Sequence, residues 1–167
     1  MQTHRPDVHW WCPQLPPSPQ QAMALLVDGT ADWPTDSSAV IGSSLGGFYA
    51  TVLAERRGCR AVLLNPAVDP ARDLAGQLGE QAAWHDPAQR FVFTVAHVGE
   101  LRAMTPTAIT APERYFAVIA KGDEVLDWRE MRARYALAPG LLLEGSDHAL
   151  SDFEQQLPQV LRFLDLA

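Results

Sequence analysis

Apolar residues fall along this sequence in short, nearly unbroken runs: VHWWC (8–12), AVI (39–41), AVLL (61–64), YFAVIA (115–120) and LLL (141–143). Continuous runs, rather than alternating ones, suit strands covered on both faces. Between them the apolar spacing turns helical. SPQQAMALLVDG (18–29) opens on Ser18 as a candidate N-cap, places Pro19 at the first helical position and stops at Gly29. In SLGGFYATVLAERRG (44–58), Leu45, Phe48, Tyr49, Val52 and Leu53 share one face, and Arg56, Arg57 and Gly58 supply helix-end chemistry. LDWREMRARYA (126–136) and SDFEQQLPQVLRFLDL (151–166) complete the series. Asp152 is a candidate cap for the last helix, and Pro158 predicts a bend in it.

Strands alternating with helices predict an α/β fold: one domain over residues 1–167, with a three-layer, doubly wound, mainly parallel sheet. The stretch from Asp69 to Pro112 breaks the rhythm. It shows helix-like patches, among them QRFVFTVAHVGELRAM (89–104), and no clear strand. We expect it to be a helical insert covering the sheet.

The chain has 167 residues, 47% of them hydrophobic, enough for one core without metal or disulfide staples. Its formal net charge of −7 disfavours nucleic acid and anionic membrane surfaces as partners. No apolar run approaches the roughly 18 residues that span a bilayer. MQTHRPDVHW has no apolar h-region, so no signal peptide is expected, and a cytoplasmic location is. Cys12 and Cys59 lack metal-site spacing and read as small buried hydrophobes.

The chemistry gathers at AVIGSSLGGFYATVLAERRG (39–58), where a knot of Gly and Ser joins a strand to a helix. A phosphate-binding P-loop needs a Lys after its second glycine, but the only lysine in the chain is Lys121. Gly42, Gly46 and Gly47 do not fit the dinucleotide fingerprint either. Gly42-Ser43-Ser44-Leu45-Gly46 does fit Gly-x-Ser-x-Gly, with Ser44 as nucleophile on a sharp, strained turn. Side chains two before and two after the serine would collide, so glycine is expected at both places. The Leu45 N–H, at the positive end of the next helix, becomes an oxyanion donor. Ser43 reads as a packing residue.

A serine needs a base and a group to orient that base. In the fold that carries this motif the order along the chain is Ser, acid, His. His4 and His9 precede the corner, and His85 and His97 lie in the insert. His148, after LLLEGSD and before the last helix, stands where the base should. AVIAKGDEVLD offers Asp123, Glu124 and Asp127 as the acid. Gly122 lets the chain leave the strand, and Asp123, nearest that turn, is preferred. Asp147 reads as a loop carboxylate. Trp84, Phe91, Phe93 and Met104 in the insert are apolar enough to line an acyl pocket, though core packing is the default for each.

IGSSLGGFYATVLAE, LLNPAVDP, GDEVLDWRE and EGSDHALSDFE, in that order, resemble the YqiA/YcfP family of small bacterial esterases in the α/β-hydrolase superfamily. The match runs from about Trp10 to Leu164. It implies Ser44 as nucleophile, Asp123 and His148 as its triad partners, and Asn65 and Pro66 shaping the site floor. It also implies hydrolysis of small-molecule carboxylic esters or thioesters with no cofactor. Members usually carry a further N-terminal strand ending in a His-Gly-Phe-like loop, placed centrally between the strands matching 8–12 and 37–41. That loop gives the second oxyanion donor, and its counterpart is not found ahead of HWWCPQLPPSP. The resemblance therefore leaves an alternative: a catalytically impaired, hydrolase-like binding protein. A homodimer through the incomplete sheet is a further expectation.

Overall fold

Four of the five apolar runs pair as a parallel sheet in a computed structural model, which describes residues 7–83 and 86–166. The strands are β1 (Ala39–Ser43), β2 (Arg60–Leu64), β5 (Tyr115–Ala120) and β6 (Gly140–Leu143), in spatial order β1-β2-β5-β6. The register places Ser43 beside Leu64, Leu64 beside Val118, and Ala120 beside Leu143. The C-terminal ends of all four strands thus reach one rim, where open parallel sheets hold their ligands.

Strand order rises steadily along the chain, so right-handed crossovers keep the connecting helices on one face. There α2 (Leu45–Arg57) and α5 (Trp128–Arg134) bury Ala50, Ala54, Met131 and Tyr135 against Ala61, Leu63, Tyr115 and Ile119. Among the described residues, α6 (Leu157–Phe163) and the turns before it close the other face, where Leu150 and Val160 meet Val62, Phe116 and Val118. Val62, Leu63 and Val118 are fully buried. Each such side chain contributes about 1.5–3 kcal/mol by leaving water. The helix α1 (Pro19–Gly29) packs outside α2, with Ser18 accepting from the Gln21 N–H as its N-cap. Among the described residues no helix is long and apolar enough to cross a membrane.

Three expectations from the sequence change. Residues 8–12 form no strand. Trp10 and Cys12 are exposed, and Trp11 instead lies over Gly29, where a Cβ would meet its ring at 2.4 Å. The outer edge of β1 consequently has no strand partner among the described residues. Cys12 is therefore not a buried hydrophobe, whereas Cys59 is, and burial pushes its thiol up.

The insert is not all helical, nor does it lie on the strands. A short helix α3 (Pro70–Asp73), capped by Asp69, leads into an antiparallel hairpin of β3 (Gly79–Ala83) and β4 (Asp86–Phe93). Helix α4 (Val95–Met104) follows. Arg90-Phe91-Val92-Phe93 alternates, with Phe93 buried and Val92 exposed, which is the period of a strand and not of a helix. Thr94 marks the change. Its hydroxyl accepts from the His97 N–H, and its own N–H donates to His97 Nδ1. Phe93, Val98 and Leu101 pack on Met23, Phe48 and Val52, so the insert covers α1 and α2.

The last segment also divides. Asp152 makes no capping bond and instead accepts from the Ser146 hydroxyl, and Pro158 opens α6 after a separate 3-10 turn over Phe153–Gln155.

A polar tie fixes α2 to the start of β5. Glu55 accepts from the Tyr115 hydroxyl and from the N–H and hydroxyl of Thr110. Burial pushes this carboxyl up, but those bonds and the nearby Arg114 outweigh it and leave it below its ordinary value. A carboxyl depressed on folding adds stability above its unfolded pKa and loses it as pH falls through the folded one. Glu55→Gln should therefore lower the melting temperature at about pH 7 and narrow its fall between about pH 5 and pH 3, measured by thermal denaturation.

Candidate active site

Strand β1 runs straight into α2 through Ser44, whose φ of 53° and ψ of −123° are unusual for a residue with a Cβ. The backbone holds it there from both sides. The Ser44 N–H donates to Leu64 O at 3.0 Å, extending the β1–β2 ladder, and the Ser44 carbonyl accepts from Gly47, Phe48 and Ala67 N–H. Serine before a helix normally spends its hydroxyl as a cap, but Ser44 makes no capping bond, so its Oγ stays available. The Leu45 N–H opens the first turn of α2, where no intrahelical acceptor exists.

Glycine matters at this corner in a different pattern from the one expected. A Cβ on Gly42 would lie 2.1 Å from Gly46 O and 2.8 Å from Gly47 N. A Cβ on Gly46 would meet nothing within 4 Å. The collision is therefore one-sided. The second indispensable glycine is Gly47, where a Cβ would come within 2.7 Å of Pro66 Cβ. Ser43 is exposed, so it is not a packing residue.

The structure brings Ser44, His148 and Asp123 together. His148 Nε2 lies 3.0 Å from Ser44 Oγ, and Nδ1 lies 2.8 Å from Asp123 Oδ2 and 3.0 Å from Oδ1. The Asp123 side chain has 0% exposure and that of His148 21%. Asp123 Oδ1 also accepts from the N–H groups of Val125 and Leu126, both at 2.8 Å, which locks the carboxylate. An ionised carboxylate only accepts, so beside one the His148 tautomer with its proton on Nδ1 turns a lone pair on Nε2 toward the serine.

The other acids take different places. Asp127 caps α5, accepting from the Arg129 N–H at 2.9 Å. Glu124 accepts from the backbone N–H of His148, not from its ring. Asp147 accepts from the N–H and hydroxyl of Ser151, which hold its carboxyl below the usual range. His97 sits in its capping box, and His9 packs edge-on to Trp33. His4, Trp84 and His85 lie outside the described residues. Phe93 is in the core, with Phe91 and Met104 packed against it, so all three take the default of core packing. Among the described residues no three His, Cys, Asp or Glu side chains converge to hold a metal ion.

Two residues that matter here had no chemical role assigned from the sequence. Gly47 was visible as the third glycine of the corner. Asn65 stood in the NPAV block at a strand end, a common place for asparagine with positive φ, and its φ is 41°.

Parallel strands ending at this rim, with the serine turn between β1 and α2, define a fold of the α/β-hydrolase class. The chain belongs to the uncharacterised protein family UPF0227, the YqiA/YcfP type, which it matches over residues 1–165. Solved structures show the same fold. A monoacylglycerol lipase from Paleococcus ferrophilus is 14% identical with a TM-score of 0.60, over 89% of this chain and 76% of that one. Est1E from Butyrivibrio proteoclasticus is 17% identical with a TM-score of 0.58, over 87% of this chain and 67% of that one. Mouse alpha/beta hydrolase domain-containing protein 10 is 15% identical with a TM-score of 0.59, over 87% and 69%.

The glycine geometry makes a sharp prediction for circular dichroism melts. Gly42→Ala and Gly47→Ala should each destabilise the fold by about 3 kcal/mol, because backbone must move to admit the methyl. Gly46→Ala, in open space on a helix, should be neutral or stabilising by up to about 1 kcal/mol.

Proposed function

We propose that the protein is a serine-dependent hydrolase of carboxylic esters, with thioesters as a related substrate class. The observation that carries this reading is the unbroken line Ser44 Oγ–His148 Nε2 at 3.0 Å and His148 Nδ1–Asp123 Oδ2 at 2.8 Å. Its neighbours in fold include a monoacylglycerol lipase, which adds support.

In the proposed reaction His148 Nε2 takes the Ser44 proton as Oγ bonds to the acyl carbon. Asp123 keeps the ring oriented and stabilises its cation. The oxyanion forms beside the Leu45 N–H, aided by the N-terminal dipole of α2. The tetrahedral intermediate collapses, the carbon–oxygen or carbon–sulfur bond breaks, and the alcohol or thiol leaves with the proton from His148. Water then attacks the acyl-serine with His148 as base, releasing the carboxylic acid and restoring the Ser44 hydroxyl.

A second reading draws on one observation. The outer edge of β1 carries no strand among the described residues, and the one oxyanion donor this reading names is the Leu45 N–H. Loss of one donor lowers turnover by about 10²–10³. That would suit a hydrolase-like binding protein rather than an efficient enzyme.

Hydrolysis of a short-chain p-nitrophenyl ester separates the readings. The enzyme should show saturable turnover, Ser44→Ala should remove about 10⁴–10⁶ of kcat, and Asp123→Asn about 10⁴. Turnover unchanged in folded Ser44→Ala would exclude Ser44 as the nucleophile.

A further inference from the structure

The backbone of His148 is held by side chains. Asn65, wholly buried at the end of β2, donates through Nδ2 to the carbonyl oxygens of Asp147 at 3.0 Å and His148 at 3.1 Å. Its Oδ1 accepts from the Ala120 N–H at 2.8 Å, and its own N–H donates to Val118 O at 2.9 Å. One amide thus ties the histidine loop to the last residue of β5. From the other side, Glu124 Oε2 accepts from the His148 N–H at 3.0 Å. The loop can come this close because Gly122 has no Cβ, which would lie 2.1 Å from Ser146 O.

Few residues could take the place of Asn65. The site needs two donors facing carbonyls, one acceptor facing an N–H, and a backbone in the left-handed region. Asparagine supplies all of these. An aspartate keeps the shape, but ionised it turns both carbonyl contacts repulsive, and protonated it keeps one donor of the two.

We infer that Asn65 is a positioning residue for the His148 imidazole, with Glu124 as the outer half of the same clamp. The inference rests on the reading of His148 as the base. The ring meets Ser44 on one side and Asp123 on the other, so its placement is fixed by where its peptide sits. A shift of about 1 Å at such a group can cost about 10²-fold in rate.

The test compares wild type, Asn65→Asp and Glu124→Ala by ester hydrolysis and by NMR of the His148 ring. Asn65→Asp should lower kcat by about 10- to 100-fold with little change in KM. The Nδ1–H signal should broaden or shift upfield. Glu124→Ala, at an exposed position, should change the same readouts in the same directions by less. A purely structural role would reduce the active fraction and leave the ring signal in place. Wild-type kcat and ring signal in folded Asn65→Asp would overturn the inference. Should that variant not fold, the same wild-type result in Glu124→Ala would overturn it. If wild type does not hydrolyse esters while the ring signal still shifts in the variants, the positioning role stands and the hydrolase reading falls.

Discussion

The arrangement depends on a single backbone constraint: Ser44 is held in a conformation that a residue with a side chain avoids. Its N–H continues the pairing with β2, its carbonyl accepts three N–H groups, and Gly42 and Gly47 leave the space those contacts need. Strain of this kind costs about 1–3 kcal/mol and persists only where the surroundings over-determine it. The result is a hydroxyl at the rim of the sheet, excused from capping the helix it precedes.

The rest of the rim is built to meet that hydroxyl. The loop after β5 presents Asp123 with no solvent exposure, held by two backbone N–H groups, and the loop after β6 presents His148. Between them Asn65, at the end of β2, supplies a buried amide that touches the histidine loop and the last residue of β5. Three strand ends thus make one polar network, and Ser44, Asp123 and His148 are each also held by groups outside their line of contacts. In the proposed hydrolase such fixing would favour transition-state stabilisation, because little reorganisation would remain at the moment of reaction.

Much of this was legible in the residues. Apolar runs covered on both faces gave β1, β2, β5 and β6, and the Gly-x-Ser-x-Gly corner with later Asp123 and His148 named the groups that converge. Residues 8–12 misled because an apolar run reads alike whether it pairs as a strand or docks one tryptophan on a helix end. Residues 89–104 misled because β4 and α4 abut at Thr94, and a window spanning both mixes their periods. The role of Gly47 and the bonds of Asn65 depend on contacts with Pro66 and with residues more than 50 positions away, which no local pattern encodes.

Mass spectrometry of the protein after treatment with a fluorophosphonate tests the central claim most directly, because the probe reports a serine activated by its surroundings whatever the natural substrate is. The account predicts one adduct per chain, on the peptide carrying Ser44, formed far more slowly in His148→Ala. A folded protein that stays unmodified, or an adduct on Ser43 or another serine, would contradict it.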